Sequence, residues 1–155
     1  MITCLVSQQS DLDLPFPEPV LQDILQKILH HDHFSSLPHP GFVSLSFVDD
    51  PEMTNLNDHF RHKNQTTDVL SFSIGEETPS GFLLGEIVIS LPKAKLDAEK
   101  FNLTFQDEII RLVVHGLSHL LGYDHQTDEQ EKEMMGIEQS FYQLYNPLEG
   151  DRLYG

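Results

Sequence analysis

Three histidines carry the chemistry within reach of this chain. They stand in the run His115-Gly116-Leu117-Ser118-His119-Leu120-Leu121-Gly122-Tyr123-Asp124-His125. On a helix, His115 and His119 lie four residues apart and project from one face, close enough to share one ion. Gly122 breaks the helix and lets the chain turn back, so that His125 offers a third imidazole. A histidine pair at this spacing is commonplace on helix surfaces. The third imidazole, and the apolar setting of the first two, give the pattern its meaning. Three neutral imidazoles leave one tetrahedral position open, as in catalytic zinc sites, whereas structural zinc takes four protein ligands. One zinc ion per chain, held by His115, His119 and His125, is therefore expected.

The H-x-x-x-H-x-x-G-x-x-H spacing is that of the metzincin proteases. Those enzymes place a glutamate directly after the first histidine as general base, and here Gly116 stands in its place. The usual route of peptide hydrolysis is thereby closed, and the glycine is expected to leave space beside the ion. Among the other polar residues, Asp124 either orients a ligand imidazole or shapes the turn after the helix. Glu86 reads as an acidic edge-strand residue or as one near the metal face. His30, His31, His33 and His39 read as a solvated helix end. Asp128, Glu129, Glu131, Glu133 and Glu138 read as the wet face of the last helix, and Met134 and Met135 as core filler.

The elements that must position these residues follow from periodicity. Ile2–Val6 reads as a first strand. Val20, Leu21, Ile24, Leu25, Ile28 and Leu29 recur at helical spacing, so a helix is expected from Pro19 to about His30. Val43, Leu45 and Phe47 alternate with smaller or more polar neighbours as a strand does, and Asp50-Pro51 supplies an N-cap and first-turn proline for a helix to about Phe60. Leu70, Phe72 and Ile74 alternate again, and Phe82–Ile89 is a nearly continuous apolar run, as for a strand covered on both faces. Pro92–Lys100 reads as a helix. Thr104-x-x-Asp107 opens a long apolar one, and Thr127-x-x-Gln130 opens a last one with Met134, Ile137, Phe141 and Leu144 inward. The expected fold is α/β of the α+β kind: a small mixed sheet of about four strands packed with about five helices.

The 155 residues form a single expected domain, 1–155. The net charge of −16 excludes a generally basic, duplex-coating protein and confines any nucleic-acid contact to a local site. With one cysteine, Cys4, neither an intrachain disulfide nor a thiolate-rich metal site can be built. The first residues lack a basic stretch and a long apolar core, so no secretion signal is expected. The apolar, uncharged run Leu112–Tyr123 carries two histidines and falls short of the ~20 apolar residues of a membrane span. A soluble, cytoplasmic protein is expected.

The stretch from His115 to His125 resembles the HGxxHLxGYDH signature of the YbeY family of bacterial metal-dependent endoribonucleases. Upstream, Asn57-Asp58-His59-Phe60-Arg61-His62-Lys63 and Thr67-Asp68-Val69-Leu70-Ser71-Phe72 look like that family's N-x-x-[YF]-R-x-K and TDVLSF segments, and Leu84–Ser90 is similar to its LGDI-like strand. Gln65-Thr66, Glu86 and Ser118 depart from the usual pattern without touching a proposed ligand. The resemblance implies a zincin-like fold and a zinc-dependent, single-strand-specific endoribonuclease in ribosomal RNA maturation and ribosome quality control. It further implies single-stranded RNA, ribosomal RNA above all, and the small ribosomal subunit as partners, with no DNA and no membrane. By the same resemblance Arg61 matches the family's arginine near the metal, where a guanidinium offers a rigid fork of donors suited to phosphate. Without it, Arg61 reads as a surface residue paired with one of many carboxylates. Two other functions remain open to the residues themselves: a metalloprotease that has found another base, or a non-catalytic ribosome-assembly factor in which metal staples the fold.

Overall fold

The computed structural model describes residues 2–9, 11–35, 37, 40–61 and 67–154, with only the backbone of Phe60, Arg61 and Asp151. Its strands are β1 (Ile2–Gln8), β2 (Gly41–Val48), β3 (Val69–Thr78) and β4 (Gly81–Ser90). The helices are α1 (Glu18–Leu29), α2 (Asp32–Ser35), α3 (Asp50–Arg61), α4 (Leu91–Lys100), α5 (Phe105–Leu120), α6 (Asp128–Tyr142) and α7 (Pro147–Tyr154). The sheet runs β1-β2-β4-β3, with β1, β2 and β4 parallel and β3 antiparallel to β4. Helix α1 joins the parallel pair β1 and β2, as a parallel connection requires a crossover.

Alternation within the strands sorts the core into two faces. Val43, Leu45, Phe47, Ile87 and Ile89 point to the face that buries α5 residues Ile109, Leu112, Val113, Val114 and Leu117. Val48, Leu70 and Val88 point the other way and close over Met53 of α3. The apolar run in β4 is thus covered on both faces at its C-terminal half, as its composition predicts.

Helix α5 lies unusually close to the sheet. A methyl group placed on Gly116 would lie 2.9 Å from Ile87 Cγ2, and one on Gly85 would lie 2.5 Å from Leu120 Cδ2 and 2.6 Å from the Phe72 carbonyl oxygen. Two glycines, one on each element, therefore set the helix-to-sheet distance. This corrects the expectation that Gly116 leaves room beside an ion: its missing side chain makes room for Ile87 instead.

The capping signals of α5 and α6 hold, one of them only in part, whereas α3 is capped one residue earlier than expected: Asp49, not Asp50, accepts from the Glu52 amide at 2.9 Å, and Asp50 is the first helical residue. Thr127 and Gln130 exchange both bonds of a capping box at the start of α6. Thr104 accepts from the Asp107 amide at 3.0 Å, but the Asp107 carboxylate turns away to accept from the Tyr145 hydroxyl at 2.7 Å. The sheet has the expected four strands, while the described residues form seven helices rather than about five. The two additional ones are α2, a single turn, and α7, whose Leu148 is 83% exposed and breaks the apolar pattern. Glu86 is also corrected, since β4 is an interior strand and not an edge; its side chain lies on the sheet face opposite Ile87 and α5.

Candidate metal centre

Helix α5 is buried along most of its length and emerges at its C-terminal end, where His115 and His119 sit. Gly122, at φ +98°, adopts the left-handed conformation that ends the helix. The Tyr123 amide then bonds back to the Ser118 carbonyl at 3.1 Å, and the Gly122 amide to the His119 carbonyl at 2.9 Å. This double bond pattern is the glycine-closed helix end that reverses the chain. It brings His125 over the first two histidines. Ring centroids lie 4.7 Å apart for His115 and His119, 5.5 Å for His119 and His125, and 6.1 Å for His115 and His125.

The fit to a metal ion rests on these distances and on the donors. Nitrogen ligands at 2.0–2.1 Å around a tetrahedral ion put imidazole centroids about 5 Å apart, close to what is found. The widest gap involves His125, which lies on the turn and is 58% exposed, while His115 is 29% exposed. As they stand, no three ligand-type side chains among the described residues already close to coordinating separation. The remaining adjustment falls on the exposed His125 ring. The set is all imidazole, which suits zinc.

His115 carries a feature that the sequence reading missed. Its Nδ1 lies 3.1 Å from Glu138 Oε2, which fixes the ring and leaves Nε2 for a ligand; metal-binding histidines habitually have such a carboxylate behind them. Glu138 is 7% exposed, so it does not belong to the wet face of α6. The signal was present: positions 134, 137, 138 and 141 fall on one helical stripe, and Met134, Ile137 and Phe141 are its apolar members. The pKa of His119 is lowered by burial and by the neighbouring His115 and His125, against a hydrogen bond to the Tyr123 backbone. It thus stays neutral, the form a metal needs, to lower pH than free imidazole does.

Asp124 takes the turn role, its Oδ1 accepting from the His125 amide at 2.8 Å while His125 Nδ1 stays 3.8 Å away. Ser118, buried in α5, donates to the His115 carbonyl at 2.7 Å and so satisfies its hydroxyl within the helix. His31 is not fully solvated, for its ring meets Phe141 edge-on at 4.9 Å. The backbone of Arg61 ends α3; its side chain, like Lys63, Gln65-Thr66 and His39, lies outside the described residues.

The fold and the site together define an α+β protein in which a sheet-packed helix presents a convergent cluster of three imidazoles backed by a carboxylate. Residues 6–146 match the family model described as Endoribonuclease YbeY. Proteins named Endoribonuclease YbeY from Persephonella marina and from Bacillus cereus strain G9842 are 39% and 40% identical to it, covering 79% and 81% of this chain and 79% and 85% of their own. The solution structure of TM1509 from Thermotoga maritima superposes with a TM-score of 0.62 at 26% identity, over 97% of this chain and 93% of that one. The chain belongs to the YbeY endoribonuclease family, and so to the nucleases that hydrolyse RNA.

Proposed function

We propose that the chain is a zinc-dependent endoribonuclease that cuts single-stranded RNA in ribosomal RNA maturation and ribosome quality control, working in the cytoplasm with the small ribosomal subunit. The observation that carries this reading is the convergence of His115, His119 and His125 at the open end of α5, in a chain of the YbeY family. His115, His119 and His125 would hold one zinc ion per chain, which supplies Lewis-acid chemistry to a phosphodiester.

The protein's own groups have distinct tasks. Glu138 holds the His115 ring through Nδ1. The cleft beyond the rings is lined by His115, His125, Glu131, Met134, Met135 and Glu138. Arg61, assigned from the family motif, neutralises the charge that grows on the phosphate. Single strands are favoured because a ribose-phosphate must be splayed out to enter a recess. The −16 net charge keeps duplex DNA and non-specific nucleic acid away. Among the described residues no helix is long and apolar enough to cross a membrane.

The protease alternative loses ground on one observation: the position that carries the general base in metzincins faces Ile87 and the sheet. Incubating zinc-loaded protein with labelled single-stranded RNA and with casein, each with and without chelator, tests the proposal. RNA should be cut, chelator should stop it, and casein should stay intact. Intact RNA, or cleavage indifferent to chelator, overturns the reading.

A further inference from the structure

The cleft beside His115 and Glu138 continues along α5 as a groove of about 360 Å³, bounded by Phe101, Arg111, Met135 and Tyr154. Arg111 lies one turn before His115 on the same helix. Its Nε donates to the carboxylate of Glu108, whose side chain is 0% exposed, and its Nη2 to the other oxygen of that carboxylate at 3.3 Å. The pairing immobilises the guanidinium by its side edge. Among the described residues Nη1 has no partner, so the end of the fork is free. The guanidinium carbon stands 5.5 Å from the centroid of the Phe101 ring, which is 47% exposed. Asn102, at φ +56°, turns the chain after α4 and presents that ring to the groove. At the floor, the Tyr154 hydroxyl is shut off from water and has no hydrogen-bond partner among the described residues.

Resting on the endoribonuclease reading, we propose that this groove is a base-binding subsite for the nucleotide next to the scissile phosphate, and that Arg111 selects guanine over adenine and uracil there. The end of a guanidinium fork matches the paired acceptors O6 and N7 of guanine, as it does O2 and N3 of an unpaired cytosine, whereas adenine and uracil offer no two acceptors side by side. Aromatic walls take the face of a base at little cost in sequence tolerance, so the selectivity falls to Arg111. The carboxylate of Glu138 at the junction repels a phosphate, which directs the base rather than the backbone into the groove. Glu108 serves as the positioning residue that holds the fork in place.

The test titrates the full-length, zinc-loaded protein with the 5′-monophosphates of guanosine, adenosine, cytidine and uridine. Their phosphate is common, so differences report the base. Binding is followed by the NMR signals of Arg111 Nε–H and the Tyr154 ring, alongside single-stranded RNA cleavage. The guanosine nucleotide should bind at least about tenfold tighter than the adenosine and uridine ones. Arg111→Lys, which keeps a charge opposite Glu108 but not the fork, should remove that preference. Equal binding of all four, a preference that survives Arg111→Lys, or shifts away from the groove overturn the proposal. Should that variant unfold, judged by melting temperature, the wild-type selectivity and the site of its shifts decide. RNA cleavage without guanine preference removes the subsite and keeps the enzyme. Guanine selectivity at the groove without RNA cleavage keeps the subsite and removes the enzyme.

Discussion

Glu138 engages Nδ1 of His115 at 3.1 Å, which would leave Nε2 to the proposed ion. Removing the negative charge while keeping the shape isolates that effect: Glu138→Gln should lower zinc affinity about 10- to 100-fold, read by competition with a chromophoric chelator, with little change in fold. Unchanged affinity would reduce Glu138 to a packing residue. Arg61 belongs at the same scale. Arg61→Ala should keep the ion and the melting temperature while losing most RNA cleavage, and Arg61→Lys should recover only part, since an ammonium restores charge without the two-pronged geometry. Wild-type cleavage by Arg61→Ala would remove its assigned role. The histidines were legible from spacing alone because a helix turn and a glycine fix where they project. Glu138 was not, because its partner lies 23 positions away, and an acid within an acidic helix looks like solvent-facing charge until the neighbouring apolar stripe is counted.

Helix α5 delivers the site only if it lies at the right height above the sheet. Gly116 opposite Ile87, and Gly85 opposite Leu120, set that height. Gly116→Ala puts a methyl group into contact with the Ile87 side chain and should destabilise the protein by about 1–3 kcal/mol, the usual cost of overpacking a full core; Ile87→Val should recover part of it. Chemical denaturation of the two single variants and the double variant checks this, and additive losses would contradict the contact. The helix boundaries here were readable because they rest on local chemistry: Thr104 and Thr127 as caps and Gly122 as the left-handed stop. What local chemistry does not encode is distance between elements. The glycine after His115 looked like an absent base or spare space, and only the tertiary approach to β4 shows what it accommodates. Helix α7 was missed for a related reason. It is held by Leu153 and Tyr154 packing on the main core, while Leu148 at its start faces out.

Over the whole molecule, charge and burial determine how stability depends on pH. Cys4 on β1 sits against the main core, and burial pushes its thiol up to about 12 from 9.0. The unfolded chain releases that proton from about pH 9 upward, whereas the native protein retains it, so folding stability is full below pH 9 and declines between pH 9 and 12. Cys4→Ser should flatten that part of the denaturation profile, and an unchanged profile would contradict the burial. The −16 charge adds self-repulsion at every pH above the carboxylate range. In a YbeY-family endoribonuclease, a charge of that sign opposes RNA contacts spread over the whole surface.

The central claim is that the three imidazoles gathered by the α5 turn hold the ion on which RNA cleavage depends. Cleavage of an end-labelled single-stranded RNA by wild type and His119→Ala, with zinc stoichiometry determined on the same samples, tests it most directly. The account predicts about one zinc per chain and cleavage for the wild type, and loss of both in a His119→Ala protein that still folds. A folded His119→Ala protein that retains its zinc, or that cuts the RNA at the wild-type rate, would contradict it.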